Sequence, residues 1–492
     1  MATTSALTPV LESADGPRES HRLDPLIWKV GSVAVLGSFM AQLDATVVNV
    51  SLSSLAVQLH ASLSVIQWVT SGYLLALALM LPLSGWLVDR IGAKRLYLAC
   101  FSTFTLSSAL CGLAWSAPSL IGFRILQGMS GGLLAPLTQM MMARVAGKHM
   151  ASVFGIAAMP ILLAPLLGPT IAGLILQFAN WRWIFLINLP VGVLALVLAA
   201  SFLPRDHETA KRRDLDLIGL ALLSPGLVLF LSGMDHASDR FGLGMLAASA
   251  LLFGFFFKWA KGKQEKAIID LRLFKGKIFS AAATNQFVMN GVAFAGQMLI
   301  PVFLIRATGH SPSATGLLMG ALGLGMMCGY PFVGRWVKRF GNRRVSTSGA
   351  SLALLGTLPF VYLAGHGQNI PLLLCALFVR GIGMSAVGVP SISAAYASVK
   401  HDDLPMATTT LNIVMRLGGP TLTTICATFL AWRLGSAGSL GTMQAGGIQN
   451  AFTAVFLLLC AFHAVLIVVA SRLPLSVNDV KPEAKELTAE SS

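Results

Sequence analysis

Hydrophobic residues in this chain fall into long runs separated by short polar or basic segments. A membrane-spanning helix needs about 20 mostly apolar residues, and fourteen runs approach or exceed that length. The pattern predicts an all-α polytopic membrane protein with fourteen spans. The runs lie near 28–52, 64–84, 96–115, 118–143, 150–177, 183–203, 217–235, 242–259, 279–304, 314–333, 345–364, 371–397, 406–431 and 449–471.

Composition supports this interpretation. The chain has 492 residues, of which 55% are hydrophobic and only 11% charged, so it has too few polar groups to cover a water-soluble protein. Its net charge of +15 resides in short loops rather than on one contiguous surface, which argues against a nucleic-acid partner. The expected surroundings are instead a lipid bilayer.

Basic residues are unequally divided between the two sides of the predicted membrane. If both tails are cytoplasmic, that side holds 28 of the 32 Lys and Arg residues outside the predicted spans. Cytoplasmic loops carry an excess of Lys and Arg. The division therefore predicts an even number of crossings of a cytoplasmic (inner) membrane, with both termini inside.

The chain also contains an internal repeat. The segment at 85–95 reads GWLVDRIGAKR and recurs at 334–344 as GRWVKRFGNRR, while GMS occurs at both 128–130 and 383–385. Duplicated halves with a substrate site between them are typical of secondary transporters. The predicted organisation is a disordered cytoplasmic N-terminus (1–27), a six-helix bundle (28–203), a linker with two extra spans (204–278), a second six-helix bundle (279–471) and a cytoplasmic tail (472–492).

One carboxylate, Asp44, lies well inside the first apolar run, whereas every other acidic residue falls in a tail or a predicted loop. A charged carboxylate at the centre of a membrane helix costs about 2.5–3.5 kcal/mol on insertion scales, so such residues are usually paired or hydrated, and functional. Two interpretations stay open. Asp44 either exchanges a proton or serves only as the structural counter-ion of a buried arginine.

Four stretches carry the candidate chemistry. They read LDATVVNVSL at 43–52, GWLVDRIGAKR at 85–95, FRILQGMSGG at 123–132 and APLLGPTIAG at 164–173. Together they resemble motifs of the major facilitator superfamily, and within it the fourteen-helix drug:proton antiporters of EmrB/QacA type. The resemblance extends over about 28–471. It implies two six-helix bundles plus two extra central transmembrane helices.

By this resemblance, the loop motif at 85–95 is a conformational gate. Its glycines permit a tight turn, and its second copy carries Lys338 where the first has an acid. The alternative is that both loops only set the topology. The candidate gate residues are Gly85, Asp89, Arg90, Gly92, Lys94 and Arg95.

The two remaining motifs lie in the fourth and fifth runs. Arg124 and Gln127 are three residues apart on one helix face, and the resemblance implies that Arg124 couples to protons together with Asp44. The fifth run resembles the antiporter motif, in which proline can kink a helix and small residues permit close packing. An ordinary packing kink is the alternative. The residues of this motif are Pro165, Gly168, Pro169 and Gly173.

The implied function is proton-driven antiport that exports hydrophobic or cationic small molecules by alternating access, as in multidrug efflux. Alternatives are a specific exporter of a siderophore or antibiotic on the same fold, and a non-transporting sensor or scaffold. Relatives in cells with two membranes can work with a periplasmic adaptor and an outer-membrane channel. Because the chain has neither a nucleotide-binding motif nor metal-ligand spacing, we expect no enzyme activity, cofactor or metal. The candidate substrate-pathway residues are Gln42, Asn49, Gln127, Asn290, Asn412 and Arg416.

The charge division makes the topology testable. Accessibility labelling of cysteines introduced at both termini and in the 260–278 loop should place all three in the cytoplasm, since that side holds 28 of the 32 bases outside the spans. A C-terminal reporter that reads as external would contradict the fourteen-span prediction.

Overall fold

The computed structural model describes residues 25–146, 153, 167–168, 171–204, 214–237, 239–366, 369–436 and 445–475. These residues are helical apart from short connections. The helices are α1 (Pro25–Gln58), α2 (Leu63–Met80), α3 (Leu83–Ile91), α4 (Ala93–Gly112), α5 (Ala117–Ala146), α6 (Trp183–Leu186), α7 (Asn188–Phe202), α8 (Leu217–Asp235), α9 (Arg240–Lys263), α10 (Lys277–Arg306), α11 (Pro312–Phe340), α12 (Asn342–Leu355), α13 (Leu358–His366), α14 (Ile370–Ala397), α15 (Leu404–Ser436) and α16 (Ala445–Ala470). Residues 171–178 are also helical.

Among the described residues, eleven helical segments are long and apolar enough to cross a membrane, and there are twelve if the bent pair α2–α3 forms one span. Two of the fourteen predicted runs account for the difference. Helix α4 is 20 residues long but contains five serines and threonines, so it is more polar than the other spans. The run at 150–177 lies mostly outside the described residues. The chain is a multi-pass membrane protein.

The second predicted run is bent rather than straight. Helices α2 and α3 meet at an angle of 59° around Leu81 and Pro82. Proline removes one helical hydrogen bond and its ring crowds the preceding turn, which accounts for a kink at this place. The bend directs α3 towards the C-terminal part of the chain, where it packs against α15.

Glycines set the closest helix contacts in each half of the chain. A side chain at Gly128 or Gly132 of α5 would overlap the backbone of α2 at Tyr73 or Leu77. A side chain at Gly325 of α11 would likewise overlap the backbone of α14. Small residues four apart let two membrane helices approach until their backbones touch. The repeated sequence therefore forms repeated helix pairs.

Among the described residues, the N-terminal half (α1–α7) and the C-terminal half (α10–α16) share one large apolar cluster, on one side. We call this the closed side, where α5 ends and α15 begins. One apolar cluster there joins Met140 and Ala143 of α5 to Ile392 of α14 and Ala407 of α15. On the opposite side, the apolar clusters contain residues of only one half each. The apolar contact between the halves is therefore concentrated at the closed side.

Helices α8 and α9 form a hairpin that lies against both halves. The Ser224 hydroxyl of α8 donates to the Leu79 carbonyl of α2 (2.9 Å), and the Thr424 hydroxyl of α15 donates to the Met234 carbonyl of α8 (3.3 Å). Asp216 begins the hairpin because its carboxylate accepts from the Gly219 amide (2.9 Å). The same carboxylate accepts from the Trp259 indole of α9 (2.9 Å), which ties the two helices together.

A duplicated contact, not predicted from the sequence, fixes each loop of the internal repeat. The turns at Gly92 and Gly341 have φ of 93° and 83°, a backbone conformation that favours glycine. Two residues after Gly92, the Lys94 ammonium donates to the Leu203 carbonyl (2.7 Å). Two residues after Gly341, Arg343 Nε donates to the Leu473 carbonyl (2.6 Å). Both acceptors lie in an S-x-L-P segment, at 201–204 and 471–474.

This contact predicts a stability effect. Replacing Lys94 by methionine should lower the apparent melting temperature of the purified protein, because a hydrogen bond to a charged group contributes about 1.5–3 kcal/mol. Lys94 also donates to the Ala200 carbonyl (2.7 Å), so the variant loses two acceptor contacts. Lys261→Met, at an exposed position of α9, is the control. Equal melting of the two variants would contradict the prediction.

Candidate functional site

The candidate site centres on a buried ion pair inside the N-terminal half. Asp44 of α1 and Arg124 of α5 lie 2.5 Å apart, measured from Oδ2 to Nη1, and neither side chain is exposed. Asp44 lies near the middle of α1 and Arg124 about two turns inside α5, and both side chains are fully buried. Each charge therefore depends on the other for stabilisation.

Two amides complete the shell of the carboxylate. Asp44 Oδ1 accepts from Asn188 Nδ2 of α7 (2.8 Å) and from Gln127 Nε2 of α5 (3.3 Å). The Gln127 carbonyl in turn accepts from Arg124 Nη1 (2.9 Å). Three N–H donors around two oxygens match the acceptor-only character of an ionised carboxylate. Every described contact to the two carboxylate oxygens therefore comes from a donor.

The guanidinium of Arg124 has further neighbours on α2. Its Nε donates to the Val69 carbonyl (3.2 Å), and its central carbon lies 4.2 Å from the ring centroid of Tyr73. A cation above an aromatic face is stabilised by the electrons of the ring, more so when both are desolvated. Nη2 has no hydrogen-bond partner in the described part of the chain. The N–H groups of this one nitrogen are therefore available to another acceptor.

A second layer positions Asn188. Its Nδ2 also contacts the Ser108 hydroxyl of α4 (3.1 Å), and that hydroxyl donates to the Phe185 carbonyl of α6 (2.9 Å). The ion pair between α1 and α5 is thereby connected to four further helices, α2, α4, α6 and α7. Sequence reasoning missed Asn188, Ser108 and Tyr73, because a lone amide, hydroxyl or phenol in an apolar run usually only joins helices.

The other predicted pathway residues are dispersed. Gln42 is exposed on another face of α1, and the side chain of Asn49 lies outside the described residues. Asn290 donates to the Gln286 carbonyl of its own helix (2.9 Å). Asn412 of α15 instead donates across the closed side to Gln139 Oε1 of α5 (2.9 Å). Arg416 lies one turn further along α15 and is half-buried.

The loop predicted as a gate contacts the other half of the chain. A Cβ built on Gly85 would lie 3.1 Å from the Thr409 hydroxyl and 3.2 Å from the Pro405 carbonyl of α15, so glycine permits the approach. The neighbouring Ser84 hydroxyl lies 2.7 Å from the Thr409 hydroxyl.

The remaining residues of that loop motif have separate surroundings. Asp89 is half-buried, and the Arg90 guanidinium lies 5.8 Å from the Trp86 ring centroid. Arg95 is exposed. Gly92 and Lys94 form the turn and the contact with α7 described above.

Only part of the antiporter motif can be placed. Gly168 packs directly against the side chain of Thr46, two residues from Asp44 on α1. Gly173 is exposed, with no neighbour within 4 Å of a Cβ built there. Pro165 and Pro169 lie outside the described residues. The motif therefore contacts α1 at Gly168, close to the carboxylate.

The C-terminal half has a buried arginine but a different shell. Arg380 of α14 donates to the Thr357 hydroxyl (2.8 Å) and to the Val292 carbonyl (2.9 Å). It makes no ion pair with any described carboxylate. A side chain at Gly296 would overlap its guanidinium, so glycine on α10 makes room for it. The two halves are therefore chemically unequal.

Comparison with known proteins agrees with this architecture. The sequence profile described as Major Facilitator Superfamily matches residues 34–261 and 282–491. The chain belongs to this superfamily. Membership of the Major Facilitator Superfamily and the observed fold indicate a transporter rather than an enzyme.

Relatives and solved structures of the Major Facilitator Superfamily extend over most of the chain. The "Multidrug resistance protein B homolog" of Mycobacterium tuberculosis (strain ATCC 25618 / H37Rv) is 33% identical over 447 residues, which are 89% of this chain and 83% of that protein. MdtD of Klebsiella pneumoniae (strain 342) is 31% identical over 464 residues, 91% of this chain and 94% of that protein. The proton:xylose symporter XylE shares the fold with a TM-score of 0.61 at 14% identity, over 92% of this chain and 98% of XylE.

The shell of Asp44 predicts the effect of removing one amide. Asn188→Leu should lower the melting temperature, since it takes one donor from the buried carboxylate and leaves Ser108 without its amide partner. A buried group left unsatisfied costs about 1–3 kcal/mol. Gln42→Leu, at an exposed amide on α1, should melt close to the wild type. The melting temperatures are measured by thermal unfolding in detergent. An equal decrease in melting temperature for both variants would contradict the prediction.

Proposed function

We propose that this protein is a proton-driven exporter of hydrophobic small molecules, belonging to the fourteen-helix EmrB/QacA branch of the superfamily. The observation that carries the proposal is Asp44, the single carboxylate that the described residues bury among membrane helices, paired with Arg124 at 2.5 Å. Intramembrane ionisable residues that face a bundle interior typically belong to ion pathways or proton relays. The printed name of the Mycobacterium relative, a multidrug resistance protein, supports drug efflux as the process.

The proposed architecture has fourteen spans in a cytoplasmic membrane, with both termini inside. Helix α4 and the run at 150–177 supply the two spans beyond the twelve described above. The α8–α9 hairpin is the extra pair between two six-helix bundles. Substrate and protons cross between the bundles, and any periplasmic adaptor would act after release.

In this mechanism, a proton that reaches Asp44 removes its negative charge. The ion pair then loses its Coulomb attraction, and Arg124 must find another partner for its buried charge. A ligand shifts a conformational equilibrium only by its different affinity for the two states. Protonation of Asp44 therefore shifts the conformational equilibrium towards the state in which Arg124 has another partner. Gln127 and Asn188 can still donate to the carbonyl oxygen of the neutral acid.

We further propose that the closed side faces the cytoplasm, because the basic loops lie there. The described conformation is then outward-facing. The contacts that must break for inward opening are those of Ser84 with Thr409 and those of Gln139 with Tyr396 and Asn412. These are neutral hydrogen bonds of about 0.5–1.5 kcal/mol each, which an alternating-access cycle can exchange.

Asp44→Asn tests the proton-carrier role, since asparagine fixes a neutral side chain of nearly the same size. The variant should fold and bind substrate, but lose uphill efflux driven by a pH gradient and lose proton release upon substrate addition. Both are measured in one reconstituted preparation. Asp214→Asn makes the same change at an exposed position before α8 and should transport normally.

The structural alternative predicts a different result for the same variant. If Asp44 only neutralises Arg124, its removal leaves an unpaired buried charge, which is destabilising by about 3–5 kcal/mol. Yield and melting temperature would then fall, while proton coupling would persist in the surviving protein. A well-folded Asp44→Asn protein that still drives uphill efflux would refute the proposal.

A further inference from the structure

One face of α11 is apolar and exposed. Leu317, Leu324 and Phe332 are 82%, 57% and 42% exposed, and spacings of seven and eight residues place them on one side of an α-helix. The described helices that pack against α11 include α10, α12 and α14, and they leave these three side chains exposed. An exposed apolar face on a membrane-spanning helix lies against the acyl chains of the bilayer.

Two arginines extend this face at the end of α11. Arg335 and Arg339 follow Phe332 by three and seven residues, which puts all three on the same side of the helix, and both arginines are exposed. The span Ala314–Phe340 has 27 residues. It is therefore about 40 Å long, whereas the hydrocarbon core is about 30 Å thick, so the last turns of α11 reach the depth of the lipid headgroups. We call Leu317, Leu324, Phe332, Arg335 and Arg339 the α11 stripe.

The turn that follows α11 belongs to the closed side. The Asn342 amide donates to the Leu475 carbonyl (2.9 Å), and Leu473, two residues earlier, is part of the apolar cluster on the closed side. The two arginines of the α11 stripe therefore lie in the bilayer leaflet on that side.

Aromatic rings fix the direction of both guanidinium groups. The central carbon of Arg335 lies 4.7 Å from the ring centroid of Phe332, and that of Arg339 lies 5.3 Å from the ring centroid of Phe340. Phe332 in turn stacks on Trp336, with 6.0 Å between the ring centroids, and Trp336 packs against an apolar cluster shared with α14. A guanidinium above a ring keeps its N–H groups for hydrogen bonding, because they lie in its own plane. Both arginines are thus held in place while their donors remain available.

The surroundings of these arginines contain no acidic residue. Residues 271–401, which include α10, α11, α12 and α14, have neither Asp nor Glu. In the first copy of the internal repeat, Trp86 stands at the position of Arg335, and Asp89 at that of Lys338. The pair of arginines four residues apart therefore belongs to the second copy alone, together with a third base in place of the acid.

We propose that the α11 stripe binds an anionic phospholipid, with the headgroup phosphate between Arg335 and Arg339 and an acyl chain along Leu324 and Phe332. Guanidinium groups form charge-assisted, bidentate hydrogen bonds with phosphate oxygens, and these two are about 6 Å apart along the helix axis. A lipid with a net negative charge is preferred over a zwitterionic one, because the packed helices α10, α12 and α14 offer no carboxylate to an ammonium group. This site depends on the position of α11 in the bilayer and is independent of the export function.

The test compares phosphatidylglycerol with phosphatidylcholine, two lipids that share acyl chains and a phosphodiester but differ in net charge. A fluorophore is attached to the full-length protein at Lys338→Cys, beside both arginines, after Cys328 and Cys375 are replaced by serine because the other cysteines are buried. The protein is placed in phosphatidylcholine nanodiscs that contain either lipid with a nitroxide on its acyl chain. Quenching at equal mole fractions gives the relative association constants of the two lipids, and we expect phosphatidylglycerol to be preferred at least about tenfold.

Substitutions of the two arginines separate charge from hydrogen-bond geometry. Arg335→Gln combined with Arg339→Gln should lower the preference about tenfold, which corresponds to about 1.4 kcal/mol. Replacing both arginines by lysine keeps the charge and should retain part of the preference, since lysine lacks the bidentate fork. The matched control, Lys261→Gln combined with Arg306→Gln, removes two exposed bases outside the stripe and should behave like the parent protein. Melting curves identify any variant that is unfolded, and the lipid preference of the parent protein is a test that needs no substitution of either arginine.

Several results would overturn the proposal. Equal association of the two lipids would mean that the bases only set the topology, and preference for phosphatidylcholine would contradict the charge argument. An equal loss in the control and in the glutamine variant would indicate attraction by the overall charge of the protein. Displacement of the nitroxide lipid by sn-glycerol 3-phosphate, which has the phosphate but no acyl chains, would indicate a site for free phosphate esters instead of a lipid.

Discussion

The desolvation of one ion pair constrains the whole N-terminal half. Removing a carboxylate and a guanidinium from water costs several kcal/mol per ion, and mutual attraction offsets this only when the remaining hydrogen-bonding atoms are satisfied. Asp44 and Arg124 obtain these partners from α2, α5 and α7, with α4 and α6 positioning Asn188. The helices must therefore keep their mutual positions for the charges to remain stable. Any change in the charge of Asp44 affects all of them together.

In the C-terminal half, the buried arginine has no carboxylate partner among the described residues. On α10, Gly296 lies against Arg380, and neutral oxygens receive its donors. A neutral shell leaves no acidic proton to exchange. Among the described residues, the duplicated fold therefore places its one buried carboxylate in the N-terminal half, while the C-terminal half has a buried arginine with neutral partners. The two halves therefore share a repeated sequence but surround their buried arginines with different chemical groups.

Much of this site could be predicted from the sequence because the energy of one charge in hydrocarbon is large. Asp44 and Arg124 stand out in apolar runs, and each needs an opposite charge. Asn188 does not stand out, since a neutral amide costs far less and is common between packed helices. The S-x-L-P acceptors of Lys94 and Arg343 were also missed, because a backbone carbonyl has no sequence signature. Helix α4 can bury its hydroxyl groups because those of Thr105 and Ser107 donate to carbonyls four residues earlier in the same helix.

The hairpin of α8 and α9 has a consequence for access from the lipid phase. Because α8 hydrogen-bonds α2 through Ser224 and α15 through Met234, it covers the flank where those two helices face each other. A hydrophobic molecule dissolved in the bilayer cannot enter between α2 and α15 without displacing α8. The hairpin thus shields this flank from the surrounding lipid.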